Sequence, residues 1–182
     1  MMIRLATMFG IGNAKFAPGT LGSLAAAVLA WPVLKLPLGW IVLLAGVGII
    51  TILGTRASRM YMAAHENMHD PSAIVIDEWA GQWLTYSVWH LWLLFIAGTA
   101  EAAVPLLQAV SASPLHLFYG FILFRFFDIM KPWPIRWADR TIKSGWGVMF
   151  DDLLAAVFAG TLLFAIYFFA PYLSGTMLES EV

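Results

Sequence analysis

Five apolar runs can be drawn along the chain, at Leu21–Leu36, Gly39–Gly54, Trp79–Gly98, Leu115–Met130 and Leu153–Ala170, and polar or small residues gather between them. We read each run as a helix. Crossing a bilayer takes about 20 helical residues, within a range of about 17 to 25. Several of the runs are shorter and are expected to tilt or to sit in a thinned bilayer, and Pro32 interrupts the first. The fold expected is all-α: a multihelical integral membrane protein with about five apolar helices.

The connections assign sides. Runs one and two meet at the Pro/Gly turn Lys35–Gly39, and runs three and four at Thr99–Pro114, which is rich in Ala, Ser and Pro. Both belong on one side. The N-terminus, Thr55–Asp77 and Lys131–Asp152 then share the other side. That second side collects Arg4, Lys15, Arg56, Arg59, Lys131, Arg136, Arg140 and Lys143, with Arg125 near a helix end, and leaves Lys35 alone opposite. Cationic loops stay in the cytoplasm, so the second side is predicted to be cytoplasmic, with the C-terminus outside. Trp40 on one side and Trp79, Trp133, Trp137 and Trp146 on the other suit interfacial anchors.

Composition strengthens the membrane reading. The chain has 182 residues, which predicts a single domain over 1–182, and it is 61% hydrophobic and 12% charged, with nine Trp and thirteen Phe. Its mean hydropathy is +0.80. A soluble protein of this size could not cover so much apolar surface. A net charge of -1 without a basic block gives no reason to expect a nucleic-acid partner. The absence of cysteine excludes disulfides, thiolate metal sites and a cysteine nucleophile. Met1–Lys15 lacks the pattern of a cleaved signal, so the first apolar run is expected to remain in the mature protein.

Four polar clusters carry candidate chemistry. In Gly10–Ser23 the glycines allow close backbone approach. Thr20 or Ser23 at a helix start offers amide donors suited to phosphate, and Lys15 adds a full charge. A Pro-Gly turn with an ordinary cap is the plainer explanation. In His65–Trp83, His65 and His69 stand one turn apart at a metal-like spacing, though such pairs are commonly plain surface residues. Asp77 and Glu78 open a helix, where acids either complement the dipole or hold a hard cation such as Mg²⁺.

The third cluster, Phe124–Arg140, puts Arg125 and Asp128 on one helix face at i and i+3. A carboxylate near a helix C-terminus meets an unfavourable dipole, so capping does not explain Asp128. The choice there is between a function and an internal ion pair. Pro132 and Pro134 end the helix and set Ile135–Arg140 in a turn. In Ser144–Asp152, Asp151 can cap the last helix, and Asp152 is more than a cap needs. It is within reach of a metal shared with Asp128 and Glu78. His90 and His116 look isolated and receive no role. All four clusters fall at cytoplasmic helix ends. Carboxylates beside Lys and Arg at a membrane face suggest a metal, a phosphate and a lipid that carries it.

The segments Ala17–Ser23, Ile74–Trp83, Phe124–Arg140 and Gly147–Asp152, in this order over most of the chain, resemble the phosphatidylglycerophosphatase A family. Ser144 and Ala156 stand where glycines are expected. The resemblance implies an Mg²⁺-dependent bacterial inner-membrane enzyme, acting at the cytoplasmic face. Its substrate would be an anionic phospholipid, phosphatidylglycerophosphate, dephosphorylated to phosphatidylglycerol.

On that basis Glu78, Asp128 and Asp152 are expected as metal ligands and Asp77 or Asp151 as ligand or general base. Lys15, Thr20, Arg125 and Lys131 are expected as phosphate contacts. Water attack is the expected chemistry, with an aspartyl phosphate on Asp128 as the other route. A phosphatase of another lipid phosphate and a non-catalytic membrane scaffold are the competing functions.

Overall fold

A computed structural model describes residues 1–65, 72–97, 105, 110 and 113–173, and no strand occurs among them. A short helix α1 (Met2–Ala6) and a 3-10 segment (Met8–Asn13) precede five longer helices and one more short one. These are α2 (Pro18–Leu34), α3 (Gly39–Ala64), α4 (Ile76–Ala97), α5 (Pro114–Met130), α6 (Ile135–Thr141) and α7 (Gly145–Leu173). Each apolar run lies on one of the long helices. Pro32 does not break α2, because it lies in the last turn, where one missing amide interrupts little. Residues after Pro134 form the helix α6 rather than a turn.

Among the described residues two helices are long and apolar enough to cross a membrane, α3 and the Gly145–Phe169 part of α7. The reason α4 is not a third is physical. It is the central helix, packed by α2, α3, α5 and α7, and it carries Gln82, Thr85, Ser87 and His90, all buried. These face protein rather than lipid, so they lower the hydropathy of a helix that is nonetheless enclosed.

Close approach to α4 is made by small residues, as in helix pairs that lack a solvent-driven hydrophobic term. A Cβ on Gly46 of α3 would meet the Trp83 ring at 2.6 Å, one on Gly120 of α5 the Tyr86 ring at 2.4 Å, and one on Gly160 of α7 the Thr85 carbonyl at 2.6 Å. Side-chain hydrogen bonds then fix the register. Trp83 Nε1 donates to the Ala26 carbonyl (3.0 Å), Tyr86 OH to the Leu117 carbonyl (2.9 Å) and Trp92 Nε1 to Thr161 Oγ1 (3.0 Å).

His90 and His116 are not isolated. Both are buried in an aromatic cluster, with the His116 ring 4.5 Å from that of Trp89 and 5.7 Å from that of Tyr86. Trp79 is likewise packed inside at 8% exposure, so it is no interfacial anchor, whereas Trp133 (81%), Trp137 (52%) and Trp146 (44%) are exposed. His69 and the tail Glu179–Val182 lie outside the described residues, as does most of the Thr99–Pro114 linker.

At one end of the bundle α1 tucks beneath the start of α4. The Val75 amide donates to the Ala6 carbonyl at 3.0 Å, and Ala6, Ala57, Tyr61, Ile76, Ala80 and Met149 close a core there. This core forms the base on which the polar helix ends are arranged.

Candidate active site

The starts of α2, α4 and α7 and the ends of α3 and α5 converge on one cavity of about 740 Å³, with α6 along its side. Asp77, Glu78, Asp128, Asp151, Asp152, Thr20, Arg125 and Lys131 all line it. Lys15 does not line it: this residue lies in the exposed loop before α2. Four stretches far apart in sequence are therefore brought to a single place by helix direction alone.

Asp77 and Glu78 occupy the first turn of α4. Asp152 projects from α7 and is 4% exposed. One oxygen from each of Asp77, Glu78 and Asp152 lies within 4.8 Å of the other two. Moreover, Asp77 Oδ1, Glu78 Oε2 and Asp152 Oδ2 are buried without a hydrogen-bond partner. Buried polar atoms in folded proteins are nearly always satisfied, and a carboxylate oxygen left bare is costly. Each of these three neighbouring carboxylates thus keeps a bare buried oxygen, a feature that suits a hard divalent cation, which takes oxygen ligands.

Asp128 borders this group in the same cavity. Its Oδ2 accepts from Arg125 Nη1, and Glu78 Oε1 is 3.8 Å from the same nitrogen. Arg125 thus stands between the carboxylate group and Asp128, and its Nη1 also reaches Ser23 Oγ at 3.5 Å. Asp77, which the sequence left as ligand or general base, joins Glu78 and Asp152 in this group, and Asp128 adjoins it through Arg125.

The N-terminus of α2 forms the wall next to Arg125. Ala17 adopts a left-handed conformation (φ 44) and no side chain caps the helix, so the first-turn amides of Gly19 and Thr20 are left for whatever enters. Ser23 is turned inward and donates to the Gly19 carbonyl at 2.9 Å. Gly19 leaves room for the side chains as they stand: a Cβ there would lie 2.1 Å from Glu78 Oε1 and 3.3 Å from Arg125 Nη1.

Asp151 does not cap α7. Ser144 does, accepting from the Gly147 amide at 3.2 Å, which gives the serine at that position a function of its own. Asp151 instead meets Lys131, whose Nζ donates to Asp151 Oδ2 at 2.6 Å and to Asp139 Oδ1 at 2.7 Å. Lys131 follows α5 in a left-handed conformation (φ 42) that turns the chain towards α6. Partial burial would lower the Lys131 pKa, but the charge of Asp151 and the hydrogen bonds to Asp139 and Asp151 outweigh it and hold the ammonium above its ordinary value. Burial would raise Asp139. The hydrogen bond and charge of Lys131, aided by Lys143, instead hold it below the usual carboxylate range.

Asp139 and Lys143 also line the cavity, and sequence reasoning gave neither a site role. Their only signal was position: both follow the Arg125–Lys131 segment on the same predicted side.

Residues 4–167 match the family model for phosphatidylglycerophosphatase A. The chain belongs to that family. It is 37% identical over 164 residues to the phosphatidylglycerophosphatase A of Haemophilus influenzae, covering 90% of this chain and 87% of the relative. With the Escherichia coli phosphatidylglycerophosphatase A it shares 35% identity over 164 residues, 89% of this chain and 81% of the relative. A Bacteroides thetaiotaomicron protein, 34% identical over 166 residues (88% and 90%), is named provisionally as a phosphatidylinositol-3-phosphatase. No solved structure matches the chain. The match to the phosphatidylglycerophosphatase A family spans every helix that contributes to the cavity.

Proposed function

We propose that this protein hydrolyses the terminal phosphate monoester of phosphatidylglycerophosphate to give phosphatidylglycerol, at the cytoplasmic face of a bacterial inner membrane. Family membership and the names of two relatives support the substrate. The observation that carries the chemistry is the set of three unpartnered carboxylate oxygens of Asp77, Glu78 and Asp152, next to Arg125 and an uncapped helix start. The cationic loops, and the apolar α3 and α7, support a membrane-embedded bundle in which the shorter helices complete about five spans.

Asp77, Glu78 and Asp152 would hold Mg²⁺. When bound, Mg²⁺ supplies positive charge at the phosphoryl oxygens and promotes attack by water. Everything else falls to the chain. The first-turn amides of α2, with Thr20, receive the phosphoryl oxygens at the positive end of the helix dipole. Arg125 adds a guanidinium to the same oxygens and stabilises charge that grows as the bond to the leaving oxygen breaks. Asp128 accepts from Arg125 and holds that guanidinium in place. Asp151, fixed through Oδ2 by Lys131, leaves its other oxygen to accept a proton from the attacking water, the part of a general base.

Phosphate release from phosphatidylglycerophosphate in detergent micelles, with and without chelator, tests this reading. Activity should vanish in chelator and return on adding Mg²⁺. Undiminished release in excess chelator would show that the three carboxylates hold no essential cation. The same assay on phosphatidylinositol 3-phosphate separates the two headgroups, and faster release from that lipid would reassign the substrate.

A further inference from the structure

The cations that line the cavity are not equivalent. Arg125 is engaged by Asp128 and lies 3.8 Å from Glu78, and Lys131 is shared between Asp139 and Asp151. Among the described residues only one other cation lines the cavity, Lys143, and no salt bridge is found for it. Its Nζ donates to the Asp139 backbone carbonyl at 2.7 Å. That bond fixes the position of the ammonium and uses one of its three donors.

These groups form an ordered line. Asp152 is 4% exposed, the Asp151 side chain 8%, Lys131 27% and Asp139 39%, and Lys143 is exposed. Exposure thus rises along these contacts from the buried carboxylates to Lys143. At the floor a phosphate monoester is met by Arg125 and the start of α2. At the mouth stands a cation held by a backbone carbonyl, with no ion pair of its own among the described residues and with Asp139 acting on it at longer range.

We propose that Lys143 recognises a second anionic group on the substrate, the phosphodiester that joins the glycerol headgroup to the lipid, and so selects lipids carrying two phosphates. This rests on the reading of the cavity as a lipid phosphatase site. The chemistry fits: in phosphatidylglycerophosphate the diester is separated from the scissile monoester by one glycerol unit, and the diester lies on the side that leads back to the bilayer. A lipid with a monoester alone, such as phosphatidate, offers Lys143 no such partner. The Asp139 carboxylate, on which the charge of Lys143 also acts, is in direct contact with Lys131.

The experiment compares kcat/KM for phosphatidylglycerophosphate and for phosphatidate in the same Mg²⁺-containing micelles, using wild type, Lys143→Gln and Lys143→Arg. In Lys143→Gln the ratio of the two should fall about fivefold or more, through KM for the two-phosphate lipid, as expected for loss of one partly exposed charge-assisted contact. Lys143→Arg should restore most of the ratio. An unchanged ratio in Lys143→Gln, or an equal loss on both lipids, would overturn the assignment of Lys143 while leaving the phosphatase reading intact. Wild-type protein that releases no phosphate from phosphatidylglycerophosphate would overturn that reading first, and this one with it.

Discussion

Gly19 illustrates how a residue with no side chain shapes the site. A methyl group at this position would collide with Glu78 Oε1, which is the far end of a flexible side chain. The fold can therefore accept Gly19→Ala at little cost, but only by moving Glu78 away from Asp77 and Asp152. The expected outcome is a protein with near wild-type thermal stability whose phosphate release falls about a hundredfold, since small misplacements of reacting groups cost that much. A large drop in melting temperature, or full activity, would contradict the packing described.

Lys131 and Asp139 give a second residue-scale expectation. Asp139 has a lowered pKa, so its contribution is present above the unfolded value and is lost as pH falls through the lower folded one. Lys131 has a raised pKa, so its contribution is full below the unfolded value and is lost as pH rises through the higher folded one. Both groups stay charged over the whole neutral range. Hydrogen exchange of the α6 amides, corrected for intrinsic rates, should be flat between about pH 5 and pH 9. A step within that window would show that the pair does not hold α6.

At the scale of the helix, α4 is positioned by glycines on its neighbours rather than by its own amphipathicity. Gly160 of α7 lies against the Thr85 carbonyl and Val88, both of which leave no room for a side chain. Here the clash is with backbone, so relief requires the helices to part. Gly160→Val is expected to lower stability by about 1–3 kcal/mol, measured by denaturant unfolding in detergent, with α4 and α7 separating around Thr85 and Val88. An unchanged midpoint would mean that the two helices are not in the contact described.

The sequence made the long helices and their polar ends legible because charges interrupt apolar runs sharply at Asp77, Arg125 and Asp152. It did not reveal that α4 is central, since all five runs look similar in hydropathy and only the close contacts at Gly46, Gly120 and Gly160 distinguish it. Nor did it sort the carboxylates. Asp77 and Glu78 are neighbours in sequence, and which oxygen faces Asp152 depends on packing against α7. Lys143 and Asp139 escaped notice because short helices with scattered charges look like any solvated surface.

For the whole molecule, the direction of each helix matters more than any single motif. Alternation delivers the starts of α2, α4 and α7 and the ends of α3 and α5 to one cavity. Helix starts bring amide donors and acids, and helix ends bring Arg125 and Lys131. On the proposed reading the arrangement would join a cation site to an anion site, a combination suited to metal-assisted hydrolysis of a phosphate monoester. Exposed Trp133 and Trp137 beside the cavity suit the interfacial depth at which a lipid headgroup lies.

The central claim is that the Asp77, Glu78 and Asp152 group is where phosphatidylglycerophosphate is dephosphorylated. The most direct test is the steady-state rate of phosphate release from that lipid, in saturating Mg²⁺, for wild type and Asp152→Asn. Asparagine keeps the shape and removes the charge of a side chain whose oxygen has no partner in the chain. The rate should fall by about a hundredfold or more while the protein stays folded. A folded Asp152→Asn protein that releases phosphate at the wild-type rate would place the chemistry elsewhere.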